Sequence, residues 1–380
     1  MTDRADYAFM ARALHLAERG LYSTDPNPRV GCVVVRDGEI VGEGWHCRAG
    51  EAHAEIVALR QAGERARGAD AYVTLEPCCH HGRTPPCSDA LIAAGLKRVV
   101  AAMDDPNPKV AGQGLAQLAQ AGIAVESGVM RGEAERLNPG FIQRMRAGRP
   151  WVRCKLAMSL DGRTALANGE SHWITGEAAR RDVQSWRARS SAVMTGIGTV
   201  LADDPALTVR LEPALWKQRG CGEEIRQPLR VVMDSRLRTP AVARLLKQPG
   251  RTLIFTAGAD PDAVQALAEA GATVSHLPHA PDGTGVNLQE ALRLLAEEGI
   301  NELWVEAGAS LSGALLQAGL VDELIIYMAP LLMGDAARGL FHLPPFDRMA
   351  DTIGLQISDM RAVGDDWRIT ARPRRTQDAL

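Results

Sequence analysis

His53-Ala54-Glu55 opens the stretch of sequence that decides the fold, which continues to Pro77-Cys78 and ends at Cys87. One imidazole, one carboxylate and two thiolates are therefore placed within a short span of chain. Imidazole nitrogen and thiolate sulfur together favour zinc, and three protein ligands leave the fourth coordination position free for a water molecule. Because Glu55 lies two residues from His53, its carboxylate can face that water rather than the metal. The stretch predicts a catalytic zinc site in which Glu55 carries a proton.

The segment between the two thiolates is longer than the usual pattern. Zinc deaminases that act on nucleobases carry Pro-Cys-x-x-Cys together with a glutamate that transfers protons, whereas residues 79–86 separate Cys78 from Cys87 here. Cys79 is an alternative ligand, although the Pro-Cys order favours Cys78. Two other interpretations are an ordinary helix start with buried thiols and a structural zinc site. A structural site needs four ligands and would leave Glu55 without a role.

Composition limits the classes of protein to consider. The chain has 380 residues, which is longer than one ordinary core and predicts two domains. It is 46% hydrophobic with a net charge of -3, so we expect a globular protein that does not coat nucleic-acid phosphates. An odd number of cysteines without a disulfide framework indicates a reducing cytoplasm. No apolar signal segment begins the chain, and no stretch reaches the ~18 apolar residues of a membrane helix.

The first half alternates predicted helices and strands. We predict helices over residues 7–19, 53–60 and 88–94, and strands over residues 30–35, 40–41, 71–75, 99–103 and 124–125. This order predicts a sheet covered by helices. The pattern breaks at Arg146-Ala147-Gly148-Arg149-Pro150. The predicted domains are therefore residues 1–147 and residues 148–380.

The second half is predicted to be an α/β domain with a largely parallel sheet. We predict helices over residues 177–189, 288–297 and 311–317, and strands over residues 152–158, 192–195, 229–234, 252–255, 302–306 and 323–330. Small residues at 307–313 precede a helix whose free amides can bind phosphate. Neither this segment nor Gly196-Ile197-Gly198-Thr199 completes the dinucleotide fingerprint. Residues 212–228 are predicted to be a surface insertion, and residues 372–380 a frayed tail.

Motifs in both halves together resemble one known family. They are Asn27-Pro28-Arg29-Val30-Gly31, His53-Ala54-Glu55, residues 77–87, Asp105-Pro106-Asn107-Pro108, residues 155–163, residues 171–175 and residues 201–210. In this order the chain resembles the bifunctional riboflavin-biosynthesis deaminase/reductases over nearly its whole length, and the long loop between the thiolates is that family's own form.

The resemblance implies two consecutive reactions and two folds. The first reaction is the zinc-dependent hydrolytic deamination of 2,5-diamino-6-(5-phosphoribosylamino)pyrimidin-4-one, and the second is the NADPH-dependent reduction of the ribosyl group to ribityl. The implied folds are a cytidine-deaminase-like three-layer domain followed by a dihydrofolate-reductase-like domain. The second fold accounts for the missing dinucleotide fingerprint.

The resemblance also assigns residues to both sites. His53, Cys78 and Cys87 would hold one zinc ion, and Glu55 would be catalytic. The ring and phosphate pocket of the first site would be lined by Asn27, His46, His80, Arg83 and Asn107. The cofactor-contacting positions would be Ala157, Trp173, Thr199, Asp203, Ser235, Gly308, Ala309, Ser310, Leu311, Ser312, Gly313 and Ala314. The substrate-contacting positions of the second site would be Lys155, Ser171, Arg187, Leu207, Arg210 and Glu306. Arg187 and Arg210 suit a phosphate, because guanidinium groups bind phosphate in bidentate geometry.

Several of these residues have simpler interpretations. Arg187 lies on an arginine-rich helix and could be a solvated surface residue, and Trp173 could belong to the core. His80 could be a solvated loop residue, and Asp203-Asp204-Pro205 could be only a helix end and turn. The cysteines without ligand spacing are interpreted as packing or surface thiols: Cys32, Cys47, Cys154 and Cys221.

Two other functions remain open for the whole chain. One is a deaminase of free nucleosides or nucleic acid with an accessory binding domain, which would not oxidise NADPH. The other is a zinc-stabilised, nucleotide-binding regulatory module without catalysis, which would be unaffected by Glu55→Gln. For the quaternary structure we expect a homodimer or a higher homo-oligomer.

Overall fold

A computed structural model of the protein describes residues 4–80, 85–218, 225–258, 260–281 and 283–374. The chain divides into two compact units. Unit 1 contains Met1–Arg149 and Glu212–Arg226, and unit 2 contains Pro150–Leu211 and Gln227–Leu380. In the part of the chain that is described, no helix is both long enough and apolar enough to cross a membrane.

Helices and strands alternate along most of the chain. Up to the end of unit 1's first segment they are α1 (Arg4–Glu18), β1 (Gly31–Arg36), β2 (Glu39–Trp45), α2 (Ala54–Ala62), β3 (Asp70–Val73), α3 (Cys87–Ala93), β4 (Arg98–Ala101), α4 (Gln113–Gln120), β5 (Ala124–Ser127), α5 (Arg131–Leu137) and α6 (Pro139–Ala147). They continue with β6 (Trp151–Ser159), β7 (Arg163–Ala165), α7 (Glu177–Arg189), β8 (Ala192–Gly196), α8 (Ile197–Asp203), α9 (Pro213–Gln218), β9 (Leu229–Met233), β10 (Thr252–Thr256), α10 (Pro261–Glu269), β11 (Ala272–His276), α11 (Leu288–Glu297), β12 (Glu302–Glu306), α12 (Ala309–Gln317), β13 (Glu323–Ala329), β14 (Arg338–Gly339), β15 (Leu355–Val363) and β16 (Asp366–Pro373). Short 3-10 helices cover Gly63–Ala66, Arg244–Lys247 and Met349–Asp351.

Unit 1 is a three-layer structure around a five-stranded sheet with the order β2-β1-β3-β4-β5. Strand β1 is antiparallel to both of its neighbours, while β3, β4 and β5 are parallel. Cys32 and Val34 of β1 pack in the core under α2, α3 and α4. Val33 and Val35 pack on the opposite face with α1, α5 and α6. This alternation is the two-residue period of a strand that is buried on both faces, and the predicted three-layer arrangement is confirmed.

The segment around α9 belongs to unit 1, although its sequence lies within the second half of the chain. Trp216 on this helix is 1% exposed. Its ring centroid lies 6.3 Å from that of Tyr22, and Arg226 Nη1 lies 3.4 Å from Asp25 Oδ2. The predicted surface insertion is therefore wrong for Trp216, whose indole is buried within unit 1.

Unit 2 contains a nine-stranded sheet with the order β11-β10-β9-β8-β12-β6-β13-β16-β15. The seven strands from β11 to β13 in this order are parallel, as expected for an α/β domain. One face packs against α11 and α12, and the other packs against α7, α8 and α10. Strands β7 and β14 form a separate two-stranded sheet. The α/β class predicted from the sequence is confirmed.

The last two strands were not predicted. Strand β16 is antiparallel to β13 and to the edge strand β15. Leu355 and Ile357 of β15 alternate with polar residues, but the bulge between Ile357 and Asp359 breaks the two-residue period that identifies a strand. The predicted frayed tail is wrong for Arg372 and Pro373, which belong to β16, while residues 375–380 lie outside the described residues.

Candidate active sites

Three local features bring the predicted zinc ligands together in unit 1. His53 is the residue before the first turn of α2, Cys87 is the first residue of α3, and Cys78 lies in the loop that follows β3. The position of α2 depends on Gly44 of β2, where an added Cβ would lie 2.2 Å from the Ala54 carbonyl oxygen. Only glycine allows the strand and the helix to approach this closely.

The geometry of the three ligand atoms fits a zinc ion. His53, Cys78 and Cys87 form the one possible metal cluster among the described residues, with ligand atoms within 4.8 Å of one another. His53 Nδ1 lies 3.2 Å from Cys87 Sγ and 3.6 Å from Cys78 Sγ. Tetrahedral zinc bonds of about 2.0–2.3 Å would place nitrogen and sulfur ligands roughly 3.5 Å apart. Cys79 is not part of this cluster, so Cys78 is the better candidate ligand.

The two thiols are strongly coupled through hydrogen bonding. The hydrogen bond with Cys87 and the neighbouring His53 lower the pKa of Cys78 to about 4, while the pKa of Cys87 is raised. The Cys87 backbone amide also donates to Cys78 Sγ at 3.3 Å. The lowered pKa of Cys78 favours its thiolate, which is the form that binds zinc.

Glu55 lies in the first turn of α2 and is 4% exposed. Burial raises the pKa of its carboxyl group, against the opposing charge of His53. A carboxyl group with a raised pKa in a buried site can accept and release a proton closer to neutral pH than an exposed glutamate. Its place beside the ligand cluster is the one that the sequence predicted.

Other predicted residues of the first site lie on the same side of unit 1. Asn27 Nδ2 donates to His46 Nε2 at 3.0 Å, and His46 Nδ1 donates to the Ala52 carbonyl oxygen at 3.1 Å. Burial lowers the pKa of His46, which favours the neutral ring. The His46 and His53 ring centroids are 5.2 Å apart. His46 therefore connects the predicted pyrimidine pocket with the ligand cluster.

The other residues predicted for this site are Asn107, His80 and Arg83. Asn107 lies in the loop between β4 and α4, where its backbone N–H donates to Asp105 Oδ1 at 2.8 Å. Burial raises the pKa of Asp105 to about 6. His80 is exposed, as in the solvated interpretation. Arg83 and the rest of residues 81–84 lie outside the described residues.

The thiols without ligand spacing were interpreted as packing or surface residues. Cys32 and Cys154 are buried and Cys47 is half-buried. Cys221 lies outside the described residues.

The second site is a cavity of about 1460 Å³ in unit 2. It lies at the carboxyl ends of adjacent parallel strands, where ligands bind in open α/β sheets. Strand β6 contributes Lys155 and Ala157, and the ends of β8 and β12 lead into α8 and α12. All the predicted cofactor and substrate positions line this cavity except Ser312 and Gly313. Ser312 is fully buried, and a Cβ at Gly313 would lie 2.1 Å from the His342 carbonyl oxygen.

The cavity fits a dinucleotide in size and in lining. Its volume is above the roughly 300–1,000 Å³ of a site for one drug-sized ligand. A Cβ at Gly198 or Gly308 would meet no atom within 4 Å. Both glycines lie where a parallel strand leads into a helix, and the empty space beside them would let an anion approach the first backbone amides of the helix.

Arg187 and Glu306 form a buried ion pair in the wall of this cavity. Arg187 Nε donates to Glu306 Oε1 at 2.5 Å, and Nη2 donates to Oε2 at 2.8 Å. Arg187 Nη1 donates to the Thr208 carbonyl oxygen at 3.0 Å. The solvated interpretation of Arg187 is therefore wrong. Much of its hydrogen-bonding capacity is used by Glu306 and Thr208 rather than by a free phosphate.

Two further cations in the cavity are less constrained. Burial lowers the pKa of Lys155, although the nearby Glu306 opposes this effect. Burial and the charges of Arg187 and Arg244 lower the pKa of Arg210. Among the described residues Arg210 forms no ion pair, so its guanidinium group can receive an anion. Arg244 and His342 also line the cavity. Arg244 begins a short 3-10 helix and His342 lies in a loop, and no pattern in the sequence indicated either residue.

Trp173 lies at the rim of the cavity and is 71% exposed, so its interpretation as a core residue is wrong. The Arg180 guanidinium lies over its ring, 4.6 Å from the centroid. Asp203 ends α8, and its Oδ1 lies 3.8 Å from His172 Nε2. The helix-end interpretation of Asp203 and the site interpretation are thus both compatible with its position.

Comparisons with known proteins agree for both units. The family described as "RibD C-terminal domain" matches residues 150–369, and "Cytidine and deoxycytidylate deaminase zinc-binding region" matches residues 3–103. Riboflavin biosynthesis protein RibD of Escherichia coli K12 is 55% identical over 371 residues, covering 95% of this chain and 97% of that protein.

Solved structures show the same relationship. Acinetobacter baumannii RibD has a TM-score of 0.89 at 47% identity, covering 98% of this chain and 99% of that one. A Thermotoga maritima diaminohydroxyphosphoribosylaminopyrimidine deaminase/5-amino-6-(5-phosphoribosylamino)uracil reductase has a TM-score of 0.82 at 32% identity, covering 97% of this chain and 99% of that one.

Proposed function

Because this chain belongs to the family of bifunctional riboflavin-biosynthesis deaminase/reductases, we propose that unit 1 deaminates the diaminopyrimidinone ribotide and that unit 2 reduces the product. The protein is a deaminase and a reductase of riboflavin biosynthesis, with zinc and NADPH as its cofactors. The proposal assigns each reaction to a unit and to residues. The observation that carries it is the convergence of His53, Cys78 and Cys87 beside the buried Glu55.

In the first reaction the residues of unit 1 hold the metal, orient the ring and move a proton. His53, Cys78 and Cys87 would hold zinc, which when bound makes hydroxide available from water at neutral pH. Glu55 accepts the proton of the attacking water and delivers it to the departing nitrogen. Water thus replaces the 2-amino group, and ammonia leaves. The raised pKa of Glu55 suits both halves of this transfer.

Neutral His46 and Asn27 would orient the pyrimidine ring in the first site. Their shared hydrogen bond fixes both side chains, and the Ala52 carbonyl fixes the His46 tautomer. Asn107 would hydrogen-bond the substrate from the loop before α4. His80 and Arg83 are proposed to contact the ribose phosphate, which needs a cation.

In the second reaction the cavity of unit 2 would hold NADPH and the deaminated ribotide. NADPH, when bound, supplies the hydride that reduces the opened ribosyl group to a ribityl group. Lys155 can donate a proton as the sugar ring opens, because burial lowers the pKa of its ammonium group. Arg210 would bind the phosphate, and the Arg187–Glu306 pair would order the wall beside it. Asp203 is proposed to assist the opening of the ring from the end of α8.

We further propose a cytoplasmic homodimer. Every described cysteine is a free thiol, which fits a reducing compartment. Edge strand β15 carries Ile357 and Met360, which are 60% and 50% exposed and would be covered by a second copy of the chain. Sedimentation velocity would measure this assembly. Ile357→Lys should shift the protein toward monomer, whereas a wild type that is monomeric at micromolar concentration would contradict the proposal.

The decisive experiment for the two reactions is mass spectrometry of the diaminopyrimidinone ribotide after incubation with the zinc-loaded protein. Without NADPH we expect only the deaminated product, and with NADPH the deaminated and reduced product. Glu55→Gln should abolish deamination while still reducing the deaminated ribotide. Deamination of cytidine or of RNA without any oxidation of NADPH would instead support the nucleoside or nucleic-acid alternative.

A further inference from the structure

Glu76 is a buried carboxylate that accepts four backbone hydrogen bonds beside the first site. It is 3% exposed and directly precedes the Pro77-Cys78 segment. Its Oε2 accepts from the amides of Asp105 at 3.0 Å and Gly112 at 2.9 Å. Its Oε1 accepts from the amides of Gly114 at 2.9 Å and Leu115 at 3.2 Å. All four donors lie in one short segment of chain.

These bonds fix the loop that carries Asn107. The donors to Oε2 are Asp105 and Gly112, which lie at the two ends of that loop. The donors to Oε1 belong to the first turn of α4, which has no capping side chain of its own. A carboxylate at this position satisfies amides that a helix leaves unpaired and interacts favourably with the helix dipole.

The helices beside Glu76 also contact the Pro77-Cys78 segment, which supplies a metal ligand. The Cys78 carbonyl oxygen accepts from the Ser88 amide and the Ser88 hydroxyl, both at 3.1 Å. A Cβ at Gly114 would lie 2.0 Å from the Pro77 carbonyl oxygen, so α4 lies directly against this segment. Glu76 therefore joins the segment that supplies a zinc ligand to the loop that supplies a substrate contact.

We propose that Glu76 is a positioning residue of the deaminase site, which holds the Asn107 loop in register with the Pro77-Cys78 segment. This inference rests on the proposed function of the first site. Glu76 acts through Asn107 rather than on the substrate, because both of its oxygens are occupied by backbone amides. The alternative is a cap that only stabilises α4.

The variant that tests this proposal is Glu76→Gln. Glutamine keeps one acceptor oxygen and turns N–H donors toward backbone N–H groups, so about half of the four bonds are lost. We expect the KM of deamination to rise about tenfold with a smaller change in kcat, since net losses of about 1.4 kcal/mol correspond to tenfold. Zinc content, the visible spectrum of the cobalt-substituted protein and the reductase activity should not change.

Asp104→Asn is the matched control. Asp104 lies on the same loop, but its carboxylate is half-exposed and accepts from the side chains of Ser127 and Arg131. Neither the kinetic constants nor the exchange of loop amides should change in this variant.

Two further measurements separate positioning from simple stabilisation. Hydrogen exchange of residues 105–115 in the zinc-loaded wild type should be slow, and it should become about tenfold faster in Glu76→Gln. In an Asn107→Ala background, Glu76→Gln should have less effect on kcat/KM than in the wild type, because coupled residues are not additive.

The outcomes are distinct. Fast exchange of residues 105–115 in the wild type would overturn the proposal even if the variant failed to fold. Fully additive effects of the two substitutions, or an unchanged KM in a folded variant, would also overturn it. A wild type that did not deaminate the ribotide would refute the proposed function, while the exchange data would still decide whether Glu76 orders the loop.

Discussion

Replacing Glu306 by glutamine should destabilise unit 2 by about 3 kcal/mol or more. Burial by itself raises the pKa of Glu306, but the charges of Arg187 and Lys155 and the hydrogen bonds from Arg187 and Trp304 lower it to about 2. Against the ordinary value of 4.5 this corresponds to about 3 kcal/mol, since a tenfold change in an ionisation constant is worth about 1.4 kcal/mol. Removing one partner of a buried ion pair costs about 3–5 kcal/mol in other proteins, which agrees.

The assay is urea unfolding followed by far-UV circular dichroism. With an m-value of about 3 kcal/mol per molar urea, the transition of unit 2 should shift by about 1 M. Because the folded-state pKa is depressed, the stabilisation is fully present above about pH 4.5 and is lost as the pH falls through about 2. The difference between variant and wild type should therefore shrink to about 2 kcal/mol near pH 3.5.

A suitable control is Glu290→Gln, which removes an exposed ion pair with Arg293 on α11 and should cause no measurable shift. The reasoning fails if Glu306→Gln costs less than about 1 kcal/mol at neutral pH. It also fails if the difference between variant and wild type grows on acidification.

Three other substitutions test the proposals separately. Cys78→Ser should remove bound zinc and deamination while leaving reduction of the deaminated ribotide intact, as measured by metal analysis and NADPH oxidation; loss of both activities would argue against independent sites. Arg210→Ala should raise the reductase KM for the phosphorylated substrate by about tenfold or more, since charge-assisted bonds to phosphate are worth about 1.5–3 kcal/mol; an unchanged KM would remove Arg210 from the phosphate site. Trp216→Ala should destabilise unit 1 by about 3–5 kcal/mol in urea unfolding, because it empties a buried position; a shift below about 1 kcal/mol would mean that α9 does not belong to that core.

The parts of the first site that the sequence predicted are those with local causes. The spacing of His53 and Glu55 follows from a single helical turn. Cys87 lies at the start of a helix, as predicted, because α3 begins at that residue. The positions of Asn27 and Asn107 depend on long-range contacts. Only the resemblance to a family, and not the spacing, suggested that they belong to this site.

The observed fold differs from the predicted one because hydrophobic periodicity in the sequence shows which residues are buried but not which residues they contact. Arg187 and Glu306 are 119 residues apart in sequence, so an arginine-rich helix gave no sign that one of its guanidinium groups faces inward. In strand β15 the two-residue period is broken by the bulge between Ile357 and Asp359. A single tryptophan in a polar segment was not enough to predict that Trp216 is buried.

The allocation of Glu212–Arg226 to unit 1 means that this protein cannot be divided at one peptide bond. The chain passes between the units after Arg149, after Leu211 and after Arg226. A chimera that joined the first half of this protein to the second half of a homologue would give unit 1 a foreign α9. Trp216 and Tyr22, whose rings are in contact here, would then come from different parent proteins. Recombination between homologues should therefore preserve function only when residues 212–226 are inherited together with the amino-terminal half.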